Sequence, residues 1–244
     1  MDCVAIRHRR EASTKAQSAR ALESTGELTG LALQACLVAK DAAANLHDFI
    51  EHSSKMALLA IHDCEKELDR AERRIDEEIT AAITQVTESE ARELLASLKF
   101  IIDLERIGDL CWSVTKRLQE LPSKLLKEDS RDLLAMTAVL QKMLEAVHRG
   151  LERRDLESAS WVLHTDAQMD QACRAVFRRH LETGDRRQRE YSTSLLLMAQ
   201  ALERGGDHAK NLGEELFHLV EGRSMRHERK NPGRGRRRTL DADE

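Results

Sequence analysis

The sequence predicts an all-α protein built as two tandem three-helix bundles, the second a duplicate of the first. Three observations carry that prediction. The first is composition: 34% of the 244 residues are charged, 3% are aromatic, and the only two prolines are Pro122 and Pro232. Long stretches of Ala, Leu, Glu, Lys and Arg without β-branched or aromatic runs favour helix over strand. The second is a set of helix-start signals. Ser24…Glu27, Thr87…Glu90 and Asp185…Gln188 have the spacing at which a side-chain oxygen and a Glu or Gln satisfy the first free amides of a helix. The third is an internal repeat. Leu104-Glu105-Arg106-Ile107-Gly108-Asp109 recurs as Leu202-Glu203-Arg204-Gly205-Gly206-Asp207 at an offset of 98, and Glu65/Asp69 recurs as Asp166/Asp170 at an offset of 101.

The elements follow in order. The first helix is expected over 26–51, entered through the Ser24 box, and the second over 54–85. The third, 88–121, starts at Thr87 and stops before Pro122, since proline cannot continue a helix. The fourth is expected over 130–153, the fifth over 156–182 with Asp155 as its cap, and the sixth over 187–221, closed by Gly222. Leu104, Ile107, Cys111, Val114, Leu118 and Leu121 match Leu202, Gly205, Ala209, Leu212, Leu216 and Leu219. That spacing keeps one stripe of each helix against a core. Residues 24–121 and 130–222 are therefore the two units, with an N-terminal extension at 1–23 and a basic tail at 223–244.

The formal charge of −4 conceals an asymmetry: the tail carries eight Lys/Arg and four Asp/Glu, which leaves 31 basic and 39 acidic residues in the rest of the chain. An acidic body with an almost purely polar tail reads as a folded domain followed by a solvated, disordered segment. Nucleic acid is not an expected partner. No run approaches the roughly 20 apolar residues that span a bilayer, and Met1 to Arg10 lacks the apolar stretch of a signal peptide. Cys3, Cys36, Cys64, Cys111 and Cys173 form no CxxC pair, so reduced thiols and a cytoplasmic location are expected.

The chemistry concentrates in four acidic pairs: Glu65/Asp69, Glu105/Asp109, Asp166/Asp170 and Glu203/Asp207. Residues four apart share a helix face, where like charges repel. The midpoint of the first two pairs is Thr87 and that of the other two lies near Arg186, both on expected turns. Each hairpin thus brings two pairs level, roughly 28 Å from its turn, and the acidic stripe of the first continues through Glu72 and Asp76. Glu105 and Asp109 continue the apolar face of Leu94, Leu98, Ile101 and Ile102, and Gly108 and Gly206 sit mid-helix. A mid-helix glycine costs about 1 kcal/mol relative to alanine unless something approaches closely. Opposed carboxylates in one place call for a cation, and oxygen donors favour hard or borderline ions, divalent or trivalent: Mg, Mn, Fe or Zn. The plainer reading of the same pairs is a solvated acidic face.

The repeated L-E-R-x-G-D helix, its acidic partner helix and the two-unit layout resemble the PhoU family of phosphate-uptake regulators over roughly residues 24–222. The family's E/D-x-x-x-D metal-binding motif is met at all four pairs. The resemblance implies a non-enzymatic cytoplasmic regulator that meets the ATPase subunit of a phosphate ABC transporter and a phosphate sensor histidine kinase. Through them it would reach the inner membrane peripherally and repress uptake when phosphate is plentiful. A homodimer is a further expectation. The sequence departs from the family at Arg204-Gly205-Gly206, where an apolar residue usually precedes a single glycine.

Two other readings stay open. Glu145-x-x-His148 and Glu215-x-x-His218 have the spacing of di-iron helical-bundle oxidases, though the repeat does not relate them. A metal-free helical adaptor is the third reading. Arg106 and Arg204 adjoin the acids as ion-pair partners, His208 adjoins Asp207, and Trp112 and Trp161 are expected in the core. No phosphate-cradling loop, nucleophile elbow or HExxH motif is present.

Overall fold

Six α-helices, with no strand among the described residues, make up the computed structural model, which describes residues 3–84, 86–181 and 186–221. They are α1 (Cys3–His52), α2 (Lys55–Ala82), α3 (Glu88–Gln119), α4 (Lys127–Arg153), α5 (Leu156–His180) and α6 (Arg186–Glu221). In the first unit α1, α2 and α3 pack mutually, and α4, α5 and α6 do the same in the second. Two further seams, α1 on α4 and α3 on α6, join the units. Four helices therefore form the centre, with α2 and α5 flanking it at matched positions.

Local chemistry explains the boundaries. Thr87 and Glu90 form the reciprocal capping box at the start of α3: the Thr87 amide donates to Glu90 Oε2 at 2.7 Å and the Glu90 amide to Thr87 Oγ1 at 3.4 Å. Asp155 caps α5 by accepting from the amides of Glu157 and Ser158. Its counterpart 101 residues earlier, Ser54, caps α2. The residues just before these caps, Ser53 and Arg154, both take the left-handed conformation at φ 53°. The duplication extends to its turns.

The first helix differs from expectation. It begins at Cys3, so Ser24 lies within it rather than at its start. The residues before it are largely Ala, Arg, Glu and Gln, which propagate helix rather than end it. The Asp185 box, the Gly222 stop and the basic tail at 223–244 lie outside the described residues.

One continuous core runs through both units. The inward face of α1 is built from Leu28, Ala32, Ala35, Cys36, Ala39, Ala42, Ala43 and Leu46, all fully or almost fully buried. Small side chains there let α1 lie against α2, α3 and α4 at once. The repeated stripes of α3 and α6 are buried as their spacing requires, from Leu104 to Val114 and from Leu202 to Leu216. Trp112 packs partly buried against the core, whereas Trp161 is 42% exposed on the outer face of α5, contrary to expectation. Ile102 is also exposed, because the face that buries Ile101 and Glu105 turns its neighbour outward.

Candidate functional site

The four acidic pairs fall into two clusters, one on each outer hairpin. In the first, Glu105 is 8% exposed, Glu65 and Asp69 are half-buried, and Asp109 is more open. Burial pushes the Glu105 carboxyl up to about 7, and Asp109, Glu72 and Asp69 push it the same way while Arg106 opposes them. The field at Glu105 thus comes from both helices of the hairpin, including Glu72 of the extended stripe. Arg106 Nε approaches Glu105 Oε2 to 3.4 Å without hydrogen-bond geometry, and that buried oxygen has no hydrogen-bond partner. Arg106 also reaches Asp109 at 3.4 Å, and Arg73 reaches Asp69 at 3.4 Å, both as exposed guanidinium groups.

The second cluster repeats the first with two changes: its buried carboxylate comes from α5, at the position matching Glu65, and a lysine reaches it. Asp166 is 6% exposed, Glu203 and Asp170 are half-buried, and Asp207 is exposed. The Glu203 carboxyl is raised by burial and then by Asp207, Asp170 and Asp166; Asp207 is raised by burial and then by Asp166. Here a cation is built in: Lys210 donates from Nζ to Asp166 Oδ2, while Asp166 Oδ1 has no hydrogen-bond partner. The hydrogen bond to Asp166 raises the Lys210 pKa, holding it as an ammonium. Lys210 lies three residues after Asp207 on the same helix face, a spacing that was the only mark of it in the sequence.

Glycine explains how the hairpins close on these clusters. A Cβ on Gly108 would meet Leu68 Cδ1 at 2.5 Å, and one on Gly206 would meet Met169 Cγ at 2.9 Å. Both partners are fully buried residues of the facing helix. The two mid-helix glycines therefore let α2 and α5 approach beside the acidic pairs. A cleft of about 390 Å³ opens at the α3–α6 side of the first cluster, lined by Glu65, Arg106, Asp109, Trp112, Arg204 and His208 among others. His208 is committed elsewhere, with Nδ1 at 2.7 Å from Asp103 Oδ1.

Carboxylate oxygens from two facing helices, one of them buried and without a hydrogen-bond partner in each cluster, are the donor type a hard cation takes. Among the described residues, no three His, Cys, Asp or Glu side chains are placed together so as to hold a metal ion. The Glu-x-x-His motifs do not build a di-iron core. Glu145 is exposed, and Glu215 is held through both oxygens by Lys99 at 2.9 and 3.0 Å. The four described cysteines, Cys36, Cys64, Cys111 and Cys173, are free thiols, and burial pushes the Cys36 and Cys111 thiols up to about 12.

A second polar constellation was not legible in the sequence. Asp129, 1% exposed in the first turn of α4, accepts from Tyr191 Oη at 2.7 Å and from Arg179 at 2.8 Å, and lies 2.9 Å from His180 Nε2. His180 Nδ1 in turn lies 3.0 Å from Ser192 Oγ. The order Asp, His, Ser has the connectivity of a hydrolytic triad, yet Ser192 is 2% exposed and closed to substrate. Tyr191 Oη also accepts from the Leu126 amide at 3.0 Å, so the network caps α4, whose own N-cap side chain makes no bond. It is a structural lock at the helix start.

Comparison with known proteins shows the family and the fold. A family model for the PhoU domain matches residues 33–118 and 133–216, one match in each unit. The phosphate-specific transport system accessory protein PhoU homolog of Rhizobium meliloti (strain 1021) is 33% identical over 171 residues, covering 66% of this chain and 70% of the relative. The homolog of the same name from Pseudomonas aeruginosa is 28% identical over 174 residues, covering 68% and 71%. Among solved structures, PhoU from Pseudomonas aeruginosa superposes with a TM-score of 0.65 at 25% identity, covering 86% of this chain and 99% of that one. The phosphate transport system regulatory protein PhoU from Streptococcus pneumoniae shares the fold with a TM-score of 0.73 at 20% identity, covering 82% and 97%.

Proposed function

Because this chain belongs to the PhoU family, we propose that it is an accessory protein of phosphate transport that represses uptake and phosphate-starvation signalling when phosphate is plentiful. The observation that carries this reading is the family match in both units of the duplicated bundle. It acts by contact rather than catalysis. Its partners are the ATPase subunit of a phosphate transporter and a sensor histidine kinase, met on the cytoplasmic side of the membrane. No described helix is long and apolar enough to cross a membrane. Contacts between folded helical surfaces of this kind are moderate in area and reversible.

The same reading makes the acidic clusters cation sites. Glu65, Asp69, Glu105 and Asp109 would hold an ion between α2 and α3, with Asp166, Asp170, Glu203 and Asp207 as the counterpart set. The partnerless buried oxygen of Glu105 supports it. A bound ion would supply positive charge that ties two facing helices together and stabilises the native state.

The test is a starvation reporter in a strain lacking the gene. Expression in phosphate-rich medium, abolished by returning the full chain, is the expected result. Normal repression in the deletion strain, in an organism without a second copy, would overturn the regulatory reading. A version ending at Gly222 reports whether the basic tail takes part.

A further inference from the structure

We propose that the two acidic clusters are unequal: Lys210 is a built-in cation that occupies the charge requirement of the α5–α6 cluster, leaving the α2–α3 cluster as the one that takes an external hard metal ion. This rests on the reading of the clusters as cation sites and specifies it for this chain.

The internal repeat makes the comparison direct. Lys210 stands 98 residues after Trp112, the offset that relates Glu105 to Glu203 and Asp109 to Asp207. Asp166 stands 101 residues after Glu65. In the second unit the ammonium sits against the most buried carboxylate, with the Asp166 and Lys210 side chains 8% and 30% exposed. In the first unit the same position carries a neutral indole, turned onto His62 with ring centroids 4.8 Å apart. Lys116, which lines the same cleft as Glu65 and Asp109, holds its Nζ 5.8 Å over the Trp112 ring and forms no ion pair with the acids.

The groups that do contact carboxylates of the first cluster are guanidinium groups at its rim. Arg106 is 53% exposed and Arg73 is 73% exposed in their side chains, each no nearer than 3.4 Å to a carboxylate oxygen. Glu105 is over nine-tenths buried and keeps Oε2 without a hydrogen-bond partner. The exposed arginines are screened by water and hold their charges loosely. A half-buried ammonium in hydrogen-bond contact is different: it balances its carboxylate and repels any second cation brought within a few ångströms. The second cluster keeps one free oxygen on Asp166, but a metal ion reaching it must sit beside Lys210.

The experiment uses the full chain, stripped with chelator, dialysed against Mn²⁺ and measured for metal per chain by elemental analysis. Folding is checked by circular dichroism. The wild type is expected to retain metal, and E105Q/D109N to lose at least ten-fold of it. K210M, which keeps an unbranched side chain of similar reach without the charge, is expected to raise the content about two-fold. E105Q/D109N/K210M is expected to recover roughly the wild-type content through the second cluster, and K210Q serves if K210M fails to fold. Retention of half or more of the wild-type metal in E105Q/D109N overturns the inequality, as does unchanged content in both Lys210 variants. Absence of Mn²⁺ from the wild type and from every Lys210 variant overturns the cation-site reading itself, which is a separate outcome.

Discussion

At the scale of single residues, burial of charge decides the behaviour of this protein. Glu105 titrates well above an ordinary carboxyl, first because it is buried and then because acids on both helices surround it. In metal-free protein the folded state keeps that proton over a window from 4.5 to about 7 in which the unfolded chain has released it. Stability therefore falls as pH rises through this window. Urea midpoints of chelated protein should be lower at about pH 7.5 than at about pH 5, with a shallower difference in E105Q. An equal difference in that variant would contradict the assignment. Asp129 is the opposite case: burial works to raise it, but His180, Tyr191 and Arg179 outweigh burial and hold it below the usual range. Replacing it by Ala breaks a buried, fully bonded carboxylate and should cost about 3 kcal/mol or more. Metal content should stay at the wild-type level, since the α4 lock lies apart from the acidic clusters. Only the first of these two sites was legible from spacing. Four-residue acidic pairs advertise themselves, whereas the Asp129 network is assembled from α4, α5 and α6 by tertiary packing.

At the scale of helices, the sequence was most legible where chemistry is local. The Thr87 box and the Asp155 cap stand where their side chains require. The Ser24 box failed because a capping pattern inside a run of good helix formers does not interrupt it. The exposure of Trp161 was hidden for another reason: no local pattern says which face of α5 lacks a neighbour. The glycines give a sharp contrast. An alanine at Gly108 gains about 1 kcal/mol in helix propensity but pushes against fully buried Leu68, at a cost of about 1–3 kcal/mol for overpacking. An alanine at Gly26 meets nothing within 4 Å. Denaturant titration should find G108A less stable than wild type and G26A more stable, by up to about 1 kcal/mol. The reverse order would contradict the close approach of α2 to α3.

At the scale of the molecule, duplication built two units around one continuous core, with α1 on α4 and α3 on α6. A shared core predicts one cooperative thermal transition for the intact chain. Two resolved calorimetric transitions would show the units folding separately. The repeat was visible in sequence because both copies keep the acidic pairs and the buried stripe. The unequal charge of the two copies depends on the packing of α5 against α6, which sets Lys210 on Asp166. If the acidic cluster of the first hairpin holds the cation, repression of phosphate uptake should depend on those four side chains. The most direct measurement is starvation-reporter output in the deletion strain carrying E65Q/D69N/E105Q/D109N, expressed to wild-type level and shown to be helical. The reporter is expected to stay on in phosphate-rich medium, as in the deletion strain itself; full repression by that variant would overturn the dependence.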